Sequence, residues 1–237
     1  MAKRRLLKQK APITGMKTQI ISTIGPSSNS LSVLRAMKKA GMDIARINMK
    51  YASVLECLRL LKMLKSINCL SLVDVLDVSS AEKVRHLDFD YIALAFTESA
   101  GQLKELKKIL PKPKAIAKIE TAKGVKNIKE IIKASDGVMV ARGDLGRNVP
   151  LEKLPFFQKS IIKECNKQKK FVVTATEMLL SMTMNSLPTR AEVTDVANAV
   201  LDGSSALMLS EETAIGKHPV GAVKMMDRIV KEAEKTR

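Results

Sequence analysis

Ala115-Ile-Ala-Lys118-Ile-Glu120 and, further on, Arg142-Gly-Asp144-Leu-Gly146 carry the first decision about this chain. Each ends, or directly follows, a short apolar and β-branched run, as a buried strand does where it reaches a polar rim. Side chains alternate along a strand with a period of two, so Lys118 and Glu120 point to the same side. The run Gly137–Ala141 delivers Asp144 just past its own end. One amine beside two converging acids describes a seat for a hard divalent cation. Such an ion rests on one or two carboxylates, keeps several waters and completes its shell from an anionic substrate. Glu120 and Asp144 are the expected ligands, and their oxygens suit Mg²⁺ and Mn²⁺ alike.

Working outward, the same kind of run recurs at Thr18–Ile24, Asp43–Ile47, Cys69–Leu76, Tyr91–Phe96, Lys114–Ile119, Phe171–Ala175 and Ala206–Leu209. Amphipathic stretches separate them at Leu31–Ala40, Ser53–Ile67, Ser80–Leu87, Gln102–Ile109, Val125–Ala134, Pro155–Gln168 and Thr189–Leu201, with a last one at Val220–Ala233. Eight strands alternating with eight helices predict an α/β fold, a single-domain (β/α)8 TIM barrel; a doubly wound open sheet is the alternative that the alternation permits. Helix punctuation agrees: Asn29-Ser30 precedes the first helix, Gly41 follows it, and Gly124 and Pro188 open later ones. Polar residues fall at the strand ends: Thr23, Arg46 and Asn48, Asp77, Lys118 and Glu120, Arg142 and Asp144, Thr176 and Glu177, and Ser210 to Glu212. A closed barrel gathers these ends on one rim, where active sites of this architecture are built.

Composition narrows the classes. The 237 residues suffice for one large core, and an aromatic content of 3% with no Trp leaves that core to Leu, Ile, Val, Ala and Met. Three widely spaced cysteines, Cys57, Cys69 and Cys165, form no metal-type pair and suit buried thiols in a reducing compartment. No apolar run nears the length of a membrane span and no signal-peptide core is present, so the expected location is cytoplasmic, away from membrane. Residues 1–17 form a basic arm with Lys3, Arg4, Arg5, Lys8 and Lys10, and residues 18–237 form the barrel. The net charge of +17 admits two readings of that arm, a contact for acidic surfaces or nucleic acid, and a solvated terminus. The other lysines are scattered and lack RNA-binding aromatics, which argues against nucleic acid.

Thr23-Ile-Gly-Pro-Ser-Ser28, Gly41-Met-Asp-Ile-Ala-Arg-Ile-Asn48, Ala117-Lys-Ile-Glu120 and Ser135-Asp-Gly-Val-Met-Val-Ala-Arg-Gly-Asp-Leu-Gly146 resemble pyruvate kinase. So do Thr174-Ala-Thr-Glu-Met-Leu179, Pro188-Thr-Arg-Ala-Glu192, Asp195-Val-Ala-Asn-Ala199 and Met208-Leu-Ser-Glu-Glu-Thr-Ala214. The resemblance runs from Thr18 onward and is to the catalytic barrel alone, without the lid inserted after the third strand or the regulatory domain after the barrel. It implies a phosphotransferase that converts phosphoenolpyruvate and ADP to pyruvate and ATP, with Mg²⁺ or Mn²⁺. Lys118 and Arg46 are then catalytic, Lys118 on the phosphoryl group and enolate and Arg46 on the phosphate. Glu120 and Asp144 hold the metal, and the N–H groups of Gly143 and Asp144 bind the substrate carboxylate with Thr176.

Departures from the family pattern sharpen the expectations. Its potassium ion uses an Asn, a Ser, an Asp and a Thr; here Asn48 and Asp77 are matched, with Lys50 in place of Ser and Val78 in place of Thr. Tyr51 replaces a His on the nucleotide side. Either the Lys50 ammonium takes the potassium position beside Asp77, making the protein indifferent to K⁺, or it swings into solvent. Glu177 and Glu211 stand where Gln and Gly are usual and add negative charge at the mouth. The short link from Asp77 to Tyr91 leaves no room for a lid, so reduced transfer to ADP is expected. Three functions follow: a minimal pyruvate kinase, a metal-dependent barrel processing phosphoenolpyruvate, pyruvate or oxaloacetate without nucleotide, and a non-catalytic metabolite-binding module. A homo-oligomer and a lid-supplying partner remain open.

Overall fold

Period-two patterning in the strands and a 3.6-residue period between them build a computed structural model that describes residues 17–236. Eight strands form one closed parallel barrel in chain order, β1 returning to pair with β8. They are β1 (Gln19–Thr23), β2 (Ile44–Asn48), β3 (Leu70–Val75), β4 (Tyr91–Leu94), β5 (Lys114–Ile119), β6 (Gly137–Ala141), β7 (Phe171–Ala175) and β8 (Ala206–Leu209). Around them run α1 (Leu31–Ala40), α2 (Val54–Ser66), α3 (Val78–Glu82), α4 (Ala100–Ile109), α5 (Ala122–Lys126), α6 (Ile128–Ala134), α7 (Arg142–Asn148), α8 (Leu154–Lys167), α9 (Arg190–Leu201), α10 (Glu211–Ala214) and α11 (Pro219–Glu234). The β1–β8 pairing excludes the open sheet. All of the basic arm except Lys17 lies outside the described residues.

Local chemistry sets the helix ends. Ser30 and Ser53 accept the N–H groups of Val33 and Glu56, and Thr189 with Glu192 makes a reciprocal capping box on α9. Gly41 ends α1 at φ +123°, a conformation that costs glycine nothing. The stretch expected as one helix over Val125–Ala134 is two, α5 and α6, meeting at Asn127. Thr121 starts α5 earlier than the apolar pattern suggested by accepting the N–H of Gly124. The short stretch after β3 is α3, and the rim also carries α7, which begins at Arg142 as the helix start expected at Gly143 and Asp144 implied, and the short α10, which no apolar period announces.

Two apolar layers hold this frame. Outward residues of the strands pack under the helices, Ile20, Ile47, Val73, Ile92, Ile119 and Leu207 among them. Inward residues, including Ile21, Ile44, Leu72, Ile116, Met139, Val173 and Met208, fill the barrel interior. Tyr91 and Phe171, the first residues of their strands, stack with ring centroids 6.0 Å apart and close the end opposite the mouth. The inward parity continues up the strands into polar residues: Ile44 to Arg46 and Asn48, Leu72 to Asp74, Ile116 to Lys118 and Glu120. The interior is therefore oily below and charged at the C-terminal rim.

Candidate active site at the barrel mouth

Four charged side chains form a buried quartet there: Arg46, Asp74, Lys118 and Glu120 are 7, 2, 8 and 1% exposed. Arg46 donates from Nε at 2.8 Å to Asp74 Oδ2, with NH2 at 2.6 Å from the same oxygen. Its NH1 donates to Thr23 Oγ1 at 3.0 Å. Lys118 Nζ lies 3.3 Å from both oxygens of Asp74 and 3.1 Å from Glu120 Oε1. Strand β4 lies between β3 and β5, and near its C-terminal end it presents only the small Ala93 inward, with Ala95 just past the strand, so the lysine can reach across to Asp74. Two cations and two anions make the quartet neutral overall. Buried charges persist only when paired in this way, because leaving one unpartnered costs several kcal/mol.

Glu120 is the most constrained member. Its Oε2 accepts the Phe96 N–H at 2.6 Å while Oε1 faces Lys118. Burial pushes its carboxyl above the ordinary value, against the opposing pull of Lys118 and the Phe96 N–H. Asp144 sits in the first turn of α7, half-exposed, with Arg147 NH1 3.5 Å from its Oδ1. Asn148 Nδ2 ties the two backbones together, donating to Glu120 O at 3.1 Å and to Asp144 O at 2.9 Å. Hard oxygen donors on adjoining strand ends beside a lysine fit a divalent ion that draws its other ligands from water and substrate. Among the described residues no group of three or more His, Cys, Asp or Glu could hold a metal ion.

Gly143 and Thr176 are also brought together. The Gly143 N–H donates to Thr176 Oγ1 at 2.7 Å, and that hydroxyl reaches Ala175 O at 2.6 Å. Glu177 and Glu211 are exposed at the same end.

Among the described residues no ion pair joins Lys50 to Asp77, and of the two readings of Lys50 the exposed one matches its position. Asp77 caps α3 from an exposed position, accepting Ser80 N and Oγ at 2.7 Å and Ser79 Oγ at 2.8 Å, which hold its carboxyl below the ordinary range. Lys50 is exposed, its Nζ 5.5 Å from the centroid of the Tyr51 ring. Val78 opens α3. Asn48 Oδ1 accepts the Lys50 N–H at 3.1 Å. The acid paired in register with Asn48 is Asp74, three residues before Asp77 and of opposite parity. Sequence reasoning passed over Asp74. The available signal was an acid at the inward parity of a strand otherwise apolar on that face.

Comparison with known proteins now decides the family. The family model for the pyruvate kinase barrel domain matches residues 65–223. The chain belongs to the pyruvate kinase family. The pyruvate kinase of Methanocaldococcus jannaschii is 52% identical over 151 residues, covering 62% of this chain and 34% of that one. That of Thermococcus litoralis is 54% identical over 152 residues, 62% and 32%, and that of Clostridium perfringens 50% over 153, again 62% and 32%. The chain spans about a third of the length of the curated relatives it matches. The pyruvate kinase match takes in Asp74, Lys118, Glu120, Asp144 and Thr176, whereas Thr23, Arg46, Asn48 and Lys50 precede it. No helix among the described residues is long and apolar enough to cross a membrane.

Proposed function

We propose that this barrel binds phosphoenolpyruvate or pyruvate at its mouth and transfers phosphoryl between phosphoenolpyruvate and ADP, at a reduced rate. The observation that supports this reading is the buried quartet beside the Gly143–Thr176 pair. Arg46 and Lys118 present guanidinium and ammonium donors on one side, where a phosphoryl group would lie. Across the mouth, the Asp144 N–H would suit a carboxylate, joined by the Gly143 N–H and the Thr176 hydroxyl once they turn to it from Thr176 Oγ1 and Ala175 O. Because the quartet is already neutral, an incoming anion alone would leave net buried charge, so anion and divalent cation should bind together. A bound Mg²⁺ or Mn²⁺ on Glu120 and Asp144 would supply charge neutralisation and Lewis acidity.

In transfer, an oxygen of the ADP β-phosphate bonds to phosphorus as the bond from phosphorus to the enol oxygen breaks. Charge spreads over the phosphoryl oxygens in that loose transition state, and the proteins that stabilise it do so mainly by positioned cations. Arg46 holds the oxygens from the side of β2, and Lys118 follows the charge from phosphoryl to enolate oxygen. Protonation of the enolate carbon completes pyruvate. No step is routed through K⁺.

One observation favours a second reading, metal-dependent chemistry on the three-carbon acid without nucleotide. The β3–β4 link holds only the short α3, and Tyr51, Leu76 and Phe96 stand exposed on the same rim. Among the described residues no segment closes over a nucleotide, and closure is what excludes water during such transfers. A lid-supplying partner or a second copy would restore it. Cys57, Cys69 and Cys165 are buried and free, which suits a reducing, cytoplasmic setting. The decisive test is pyruvate release from phosphoenolpyruvate with and without ADP, repeated on Lys118→Met. Release that needs ADP and Lys118 supports the kinase, release without ADP supports the second reading, and release in neither condition defeats both.

A further inference from the structure

Arg142 follows β6 directly, yet its side chain does not enter the mouth. It turns toward β7 and collects three successive carbonyls of the loop that carries Thr176. Nε lies 3.3 Å from Ala175 O and 3.2 Å from Thr176 O, while NH2 lies 2.7 Å from Thr176 O, 3.2 Å from Glu177 O and 3.0 Å from Met178 Sδ. NH1 is held from the other side by Asp195 Oδ2 of α9 at 2.6 Å and Gln158 Oε1 of α8 at 3.4 Å. The loop it grips is strained. Thr176 has φ +70° and Glu177 φ +53°, two consecutive non-glycine residues in the left-handed region, the first of them β-branched. Such a turn persists only when its surroundings over-determine it.

We propose that Arg142, braced by Asp195, is a positioning residue that holds the Thr176–Glu177 turn in its strained form and so aims the Thr176 hydroxyl at the Gly143 N–H. The planar guanidinium is what permits this. Its five N–H donors fan out in one plane, so one side chain can serve three carbonyls and a carboxylate at once, which a lysine ammonium with three donors at a single point cannot. The turn brings the three carbonyl oxygens to one locus, and the cation offsets their mutual repulsion. Released from it, the turn relaxes toward negative φ, and Thr176 Oγ1 leaves Gly143. The functional consequence rests on the reading of Gly143 and Thr176 as the carboxylate seat; the positional claim does not.

The test uses the full chain with Arg142→Lys and Asp195→Asn, and Arg228→Lys on α11 as a distant control. Residue-resolved amide hydrogen exchange without ligand should show Gly143 losing protection by about tenfold or more in Arg142→Lys, with β6 and β7 core amides such as Val140 and Val173 unchanged. Asp195→Asn should move Gly143 in the same direction by less, and it decides the matter should Arg142→Lys fail to fold. Calorimetry with oxalate, a small dicarboxylate resembling the enolate, should show an affinity loss of about tenfold or more in Arg142→Lys while Mn²⁺ binding alone holds within about twofold. Unchanged Gly143 protection, or protection lost evenly across β6 and β7, overturns the proposal. Wild-type protein that takes up no oxalate defeats the carboxylate seat, and the exchange measurement still decides the clamp.

Discussion

Lys118 Nζ and Glu120 Oε1 lie 3.1 Å apart at the inner edge of one strand end, almost wholly out of solvent. The amine also reaches Asp74, so its charge is balanced before any ligand arrives.

Replacing Lys118 by Met keeps the bulk and removes the charge. Turnover should fall by about 10²–10³ or more, the usual loss for one well-placed electrostatic donor. Glu120 keeps its bond from Phe96, so the circular dichroism spectrum should match the wild type. A coupled pyruvate assay reads the loss, and undiminished turnover would remove Lys118 from the chemistry.

Asp74 and Asp77 should behave differently although three residues separate them. Asp74→Ala leaves Arg46 and Lys118 buried without their shared acid and should cost about 3–5 kcal/mol in urea unfolding. Asp77→Ala removes only the cap of α3, a loss of about 0.5–2 kcal/mol. Equal costs would mean that the quartet is not what holds this end of the barrel together.

Anion and metal uptake should be linked. With the quartet neutral, oxalate affinity should rise by about tenfold or more when Mn²⁺ is present, and a chelator should reverse the gain. Metal needs Glu120 ionised, and burial raises the pH at which that happens. Mn²⁺ affinity should therefore start to fall at a pH above the ordinary glutamate range. Calorimetry over a pH series checks both points, and oxalate binding indifferent to metal would contradict the neutral-quartet account.

Glu212 gives a stability signature with a defined sign. It is fully buried, and its two oxygens accept the N–H groups of Leu179 at 2.9 Å and Ser210 at 2.7 Å, joining the β7 loop to β8. Burial raises its carboxyl above the ordinary 4.5, more than those N–H groups lower it. A group raised on folding contributes stability that is complete below its unfolded value and is lost as pH climbs through the folded one. Glu212→Gln loses one acceptor and should cost about 1–3 kcal/mol. The gap between wild type and variant should narrow as pH rises from 4.5. Urea midpoints taken across that range would show a constant gap if Glu212 does not titrate this way.

Much of this was open to a reader of the chain alone. Strand periodicity, serine and threonine caps and glycine stops act over a few residues, so Ser30, Ser53, Thr189 and the eight apolar runs announce the alternation without tertiary help. Lys118 and Glu120 share a face by parity, which also is local. Other features depend on register and on which strands become neighbours. Asp74 rather than Asp77 meets Asn48 because β3 aligns with β2 in a particular step, and a three-residue shift reverses the face. Lys118 meets Asp74 because β4 offers only alanine between them. Arg142 finds Thr176, Gln158 and Asp195 on three separate elements that closure of the barrel brings to one place. The chain by itself determined the eight strands, most of the helices and most of the rim residues, Asp74 excepted. Which of those residues touch was decided by the closed barrel, since contact between distant segments follows from their pairing in space and not from their spacing along the chain.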